Sequence, residues 1–188
     1  MSIPVHSWIP SVALEGRVVR LELLEARNAP DLLAAFDAEL YRHMVGAAPE
    51  MTLAGFERDI ERMRALPTDI PYAIVLRSTG LAIGRTWVGR AWHGKGVNPE
   101  AKYLMLRHVF ETTSPPAHRV AFCTNVTNQH SQGAMTKLGA TREGLLRRIA
   151  ADPQRPEMIP NDIVVYSIIA EEWPGVKARL EARTATVA

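Results

Sequence analysis

One stretch constrains this chain more than any other: Trp87-Val88-Gly89-Arg90-Ala91-Trp92-His93-Gly94-Lys95-Gly96-Val97-Asn98. It reads as a strand end, a glycine-containing loop and a helix start. Glycine lets a backbone turn tightly and brings its amides close to a ligand. A helix start adds amides with no partner inside the helix and the positive end of the dipole. Together they suit an anion, above all a phosphate or pyrophosphate. Asn98 can cap the helix, Pro99 suits its first position, and Glu100 complements the dipole. The helix is expected over about 98–111, with Tyr103, Leu106, Val109 and Phe110 inward. Two other readings stand beside this one. The loop can be an ordinary strand-to-helix connection. It can also be a nucleotide-triphosphate loop, since Gly89, Gly94 and Lys95 match the first seven positions of that motif. Gly96 then stands where a magnesium-holding hydroxyl is needed, and the next apolar strand ends Cys123-Thr124-Asn125 without the expected Asp.

The flanks read as a mixed α/β domain. Arg17 to Leu23 alternates polar and apolar residues, as a half-buried strand does. Asn28 is expected to cap a first helix and Thr52 a second, with Leu53, Phe56, Ile60 and Met63 on its apolar face. Strands are expected at 72–76, 81–88, 119–124, 141–149 and 163–169. A short helix runs from Asn128 to Leu138 before Gly139, and a charged amphipathic helix spans 171–183. No repeat or linker interrupts the 188 residues, so one domain is expected over 1–188. The irregular alternation of strands and helices points to a mixed sheet rather than a strictly doubly wound one.

Charge and cysteine content narrow the function classes. The net charge is +2, which gives no reason to expect a nucleic-acid partner. No apolar run approaches the ~20 residues that span a bilayer. Met1 to Pro10 has no basic region followed by an apolar stretch, and the one cysteine, Cys123, cannot form an internal disulfide. A cytoplasmic protein with no membrane partner is the expectation. Cys123 itself reads as a buried strand residue.

Four segments carry a family resemblance. The first is Trp92 to Asn98 followed by Glu100-Ala101-Lys102-Tyr103-Leu104. The second is Asn128-x-x-Ser131, continuing to Lys137-Leu138-Gly139-Ala140. The third is Arg142-Glu143-Gly144-Leu145-Leu146-Arg147, and the fourth Asp162-Ile163-Val164-Val165-Tyr166-Ser167 with Glu172-Trp173. In this order they resemble the GNAT superfamily, and within it the RimJ/RimL-type N-acetyltransferases. The resemblance implies a splayed, mixed, mostly antiparallel sheet flanked by helices. It also implies acetyl-CoA as co-substrate, an amine acceptor that is a protein N-terminus or a small molecule, and no metal. It puts the pyrophosphate on His93, Gly94, Lys95, Gly96, Val97 and Asn98, and the pantetheine arm along main-chain groups of Trp87 and Val88. Asn128 and Ser131 come near the thioester. Relatives commonly pair, so a homodimer is among the expectations.

The sequence also departs from the family pattern. Where many members carry a Tyr on the fourth helix as acid for the leaving thiolate, Met135 stands here. Relatives have a long hairpin before the loop. Here Gly80 is followed almost at once by Leu81 to Trp87, with Ala82 in place of a Glu. Either the chain is truncated there, or residues are missing from the numbering. The second is the expectation, because losing a central strand leaves an unpaired sheet edge.

Acetyl transfer needs a neutral amine, a donor for the oxyanion, and a proton or hydrogen bond for a thiolate of pKa about 8.5. Ser131 is the candidate for that last role; its alternative is a helix residue bonded to backbone. No general base stands out, which favours an α-amine (pKa about 7.7–8.0) over a lysine (about 10.4) as acceptor. His93, His130, Glu143 and Asp162 are weaker candidates with ordinary structural readings. Trp92 and Trp173 read as packing residues. Arg142, Arg147 and Arg148 form a basic cluster, suited to the 3′-phosphate of CoA or an acidic substrate, with a solvated strand face as the ordinary reading. The rival function is a catalytically silent acyl-CoA-binding or regulatory module.

Overall fold

A computed structural model describes residues 9–37, 39, 49–66, 69–85, 87–150 and 161–185. The chain divides into two compact units. One holds residues 1–37, 49–116 and 180–188, the other 38–48 and 117–179.

The first unit is built on four antiparallel strands in chain order: β1 (Leu14–Glu15), β2 (Val19–Leu23), β3 (Tyr72–Leu76) and β4 (Ala82–Gly84). The alternation seen in the sequence places Val19 and Leu21 inward, both with no exposure. They pack with Ile74, Leu76 and Ile83 from the sheet and Val97, Ala101 and Leu104 from a helix. Full burial of side chains this size contributes about 1.5–3 kcal/mol each. The helices are α1 (Ala29–Ala35), α2 (Leu53–Arg64) and α3 (Val97–Arg107), the last running into a π-helical turn at His108–Thr112.

Thr52 caps α2 as the sequence implies, its hydroxyl accepting from the Gly55 amide at 3.0 Å. Phe56 and Ile60 form the buried stripe, whereas Leu53, the first residue of the helix, is 44% exposed. Asn28 does not cap α1 with its side chain. It is buried, accepts from the Glu25 amide at 2.8 Å and donates to Glu22, so it closes the preceding turn instead.

The chain reverses after β4, with the Arg85 amide donating to the Trp87 carbonyl at 2.7 Å. Beyond β4 the pairing continues as one bridge, Gly84 to Val88, and a bond from the Gly89 amide to Ile83 O at 2.8 Å. The β4 edge is partly closed by side chains: the Asp31 carboxylate accepts from the Ala82 amide at 3.0 Å. Just beyond β4, Arg85 is buried against Asp59 of α2 at 2.7 Å. Burial lowers the Arg85 pKa to about 10, which leaves the guanidinium charged at neutral pH and the pair intact.

The second unit holds β5 (Arg119–Asn125), α4 (Gln129–Leu138), β6 (Thr141–Ala150) and β7 (Asn161–Ile169), antiparallel in the order β5-β7-β6. Helix α5 (Trp173–Ala185) begins in this unit, and its residues from 180 onward belong to the first. Val164, Tyr166 and Ile168 make the buried face of β7, and Trp173 is buried as expected. Cys123 is exposed, not buried, because it lies with residues 119 and 121 on the exposed face of β5. Glu143 accepts from Arg119 and from the Ser167 hydroxyl at 2.6 Å, and these two partners hold its carboxyl below the ordinary range. Its structural reading holds.

The firmest tie in the first unit comes from Glu100. Its carboxylate is buried and accepts from the amides of Arg17, Val18 and Val19 at 2.7, 2.8 and 2.7 Å. Gly16 makes room for it: a Cβ there would lie 2.8 Å from the carboxyl carbon. Glu100→Gln replaces one accepting oxygen by a donor, leaving amides without a partner. A loss of about 2–4 kcal/mol is expected, read as a lower urea midpoint at unchanged m-value. A midpoint equal to wild type would show that the tie contributes nothing.

Candidate active site

The glycine loop turns through two left-handed residues. Gly94 and Gly96 have φ of 77° and 75°, a region that costs any residue with a Cβ. Gly96 is the N-cap of α3, and its carbonyl accepts from the Glu100 amide at 3.1 Å. The helix therefore starts at Val97, and the expected capping by Asn98 is corrected. A left-handed Gly96 already completes the entry to the helix, so Asn98 and Pro99 fall inside the first turn. Pro99 costs nothing there, because first-turn amides have no intrahelical acceptor. Glu100, an acidic residue in the first turn as expected, also serves β2. The sequence showed a first-turn Glu, but its partners are main-chain amides that any residue type could supply.

The amides of Gly94, Gly96, Val97 and Asn98 donate to no described group. Gly94, Lys95 and Asn98 are exposed, while Val97 is buried and fixes the loop to the core. This is a set of oriented donors at the positive end of an 11-residue helix. Lys95 adds a charge beside it, with Nζ 4.8 Å from the centre of the Trp92 ring. Trp92 packs partly on the core, as expected. The His93 Nε2 lies 2.9 Å from Val88 O. Trp87 is buried edge-on to Phe36, ring centres 5.7 Å apart, with no partner for its indole N–H among the described residues. The carbonyls of both Trp87 and Val88 thus have contacts within the chain, to the Arg85 amide and the His93 ring.

In the second unit, Asn128 caps α4, its Oδ1 accepting from the Ser131 amide at 3.0 Å. Ser131 is half-buried and its hydroxyl bonds no described group, so the backbone-bonded alternative is not what is seen. Met135 lies one turn further along and cannot donate a proton. His130 is exposed, and Asp162 accepts the Arg148 amide at 2.7 Å. The candidates thus fall into two local groups: the loop from His93 to Asn98, and the capped start of α4. Among the described residues no group of His, Cys, Asp and Glu is placed to hold a metal ion.

Comparison with known proteins gives a consistent result. A family model described as an acetyltransferase (GNAT) domain matches residues 19–141. The chain is 36% identical to a provisionally assigned acetyltransferase of T. thermophilus, with a TM-score of 0.84 over 94% of this chain and 98% of that one. Mycobacterium smegmatis RimJ, solved in complex with CoA-disulfide, shares the fold at 22% identity, with a TM-score of 0.72 over 91% of this chain and 92% of that one. Among curated proteins, the Bacillus subtilis (strain 168) protein named "Putative ribosomal N-acetyltransferase YdaF" is 30% identical over 91 residues, which is 48% of this chain and 46% of that protein. The chain thus spans about half the length of that curated relative.

Gly96→Ala forces a Cβ into a left-handed cap and is expected to cost about 1–2 kcal/mol. Gly96→Asn, which tolerates that conformation, is expected to recover most of the loss in the same thermal denaturation series. Equal stability of the Ala variant and wild type would mean the loop is not held in this geometry.

Proposed function

The chain belongs to the GNAT acetyltransferase family, and on that premise we propose that residues 1–188 act as one acetyl-CoA-dependent N-acetyltransferase domain. The acetyl group passes to a primary amine by direct attack on the thioester in a ternary complex. The observation that carries this reading is that the amides of Gly94, Gly96, Val97 and Asn98 donate to no described group, in a loop with two left-handed glycines at the start of α3. Four donors and a helix dipole fit a pyrophosphate, and Lys95 supplies a neighbouring positive charge. No hydroxyl for magnesium follows Lys95, which argues against the nucleotide-triphosphate reading.

His93 to Asn98 hold the pyrophosphate in this proposal, and Trp87 and Val88 border the pantetheine arm. Ser131 serves the departing thiolate. Its hydroxyl bonds no described group, and the Asn128 cap holds its backbone amide at the start of α4, so the hydroxyl is available to donate. Asn128 acts chiefly by positioning Ser131. A neutral amine attacks the carbonyl carbon, the C–S bond breaks, the thiolate takes a hydrogen bond from Ser131 as it leaves, and the proton given up by the amine nitrogen passes through water to the thiolate. With no evident base near the loop or α4, the acceptor is one already partly neutral at pH 7, a protein N-terminal α-amine before a lysine or a small amine. The curated relative's name supports a ribosomal protein as acceptor, and a cytoplasmic location fits that acceptor.

The alternative, a silent acyl-CoA-binding module, is favoured by Met135 in the position where many relatives have an acid. One experiment separates the two. Acetyl-CoA at about 100 times its Kd is expected to add about 2.7 kcal/mol, a rise in Tm of roughly 5–10 °C, where magnesium-ATP adds nothing. Ser131→Ala is expected to keep that rise and lose about 100-fold in kcat on an α-amine peptide. A rise without turnover on any amine identifies the silent module, and no rise overturns the proposal.

A further inference from the structure

The outer strand of the second unit carries a combination to which the proposed transfer step gives no role. β6 ends the order β5-β7-β6, so one of its edges faces no described strand. Residues 144–146 pair regularly with β7, yet Leu145 and Leu146 are each 42% exposed, and Ile149 is 59% exposed. With Arg147, Arg148 and Asp162 they line a groove of about 640 Å³. The guanidinium groups of Arg142, Arg147 and Arg148 make no ion pair or hydrogen bond to any described residue. The carboxylate between them in sequence, Glu143, is already bound to Arg119 and Ser167.

Edge strands are commonly shielded by charges and bulges, and β6 has both, with register shifts at residues 142–144 and 146–150. Shielding does not call for three exposed aliphatic side chains among the arginines. Large apolar groups left in water beside unpaired cations are the mark of a surface that something covers.

We propose that β6 is a docking strand for an extended, acidic polypeptide segment that carries apolar side chains of its own. The open edge at residues 144–146 offers main-chain pairing, the route by which extended peptides add to a sheet. Leu145, Leu146 and Ile149 receive the apolar side chains, and the arginines receive carboxylates, for which the planar guanidinium is well shaped. A second copy of β6 is a poor occupant, because it would bring the same unpaired cations face to face.

The test reads binding and not turnover, so its outcome is separate from that of the acetyl-transfer proposal. The probe is a labelled peptide of about ten residues alternating Glu and Val, followed by fluorescence anisotropy with the whole protein. Its controls are the same peptide with Lys for Glu, and one N-methylated at alternate amides. The Glu/Val peptide is expected to bind, to weaken with added salt, and to bind about 10-fold more weakly to the Arg142→Glu/Arg147→Glu variant. Both substitutions are at exposed positions, and an unchanged thermal transition in the variant checks that it is folded. The N-methylated peptide is expected not to bind. Equal binding of the Lys peptide, or an unaffected double variant, overturns the acidic partner. Absence of Glu/Val binding overturns the docking strand. So does a homodimer in sedimentation that the double variant dissociates.

Discussion

The first unit depends on a single carboxylate. Glu100 sits one turn into α3 and gathers three successive amides at the start of β2. Those amides belong to the bend entering the strand, where no neighbouring strand can serve all of them. Without an acceptor they would be part-buried donors left unmade, which costs far more than a typical hydrogen bond contributes. The same contact fixes where the first turn of α3 lies against the sheet. The glycine loop hangs from that turn, so a residue outside the loop sets where it lies. The absence of a side chain at Gly16 is part of the same arrangement.

A second theme is the β4 edge. Where a full strand would satisfy the β4 edge through main-chain pairing, this chain uses side chains. Asp31 takes the Ala82 amide, and Asp59 holds Arg85 at the bend. A buried ion pair gives up much of its attraction to desolvation, so its value here is mainly geometric. It fixes the reversal that returns the chain from β4 to Val88 and thence to the loop.

Most of the secondary structure was legible because hydrophobic spacing is local. The α2 stripe, the alternation of β2, the Asn128 cap and the Gly139 stop were all written within a few residues. The family resemblance was legible for the same reason, since its motifs are short runs. What failed was whatever depended on a distant partner or on backbone geometry. Asn28 looked like a cap and is a brace for Glu22 and Glu25. Asn98 looked like a cap because a left-handed Gly96 cannot be told from an ordinary loop glycine by composition. Cys123 looked buried because an apolar run does not reveal which face of its strand is exposed. Of the candidate site, the loop could be read from its glycines, whereas a Ser131 hydroxyl with no described partner depends on what lies around it in space.

The exposure of Cys123 has a practical side. It is the sole thiol in 188 residues, and it stands outward on a seven-residue strand of the second unit. A maleimide dye or spin label would therefore attach at one defined place without any engineering of the chain. Such a probe would watch the unit that carries α4 while leaving the glycine loop, in the other unit, chemically untouched.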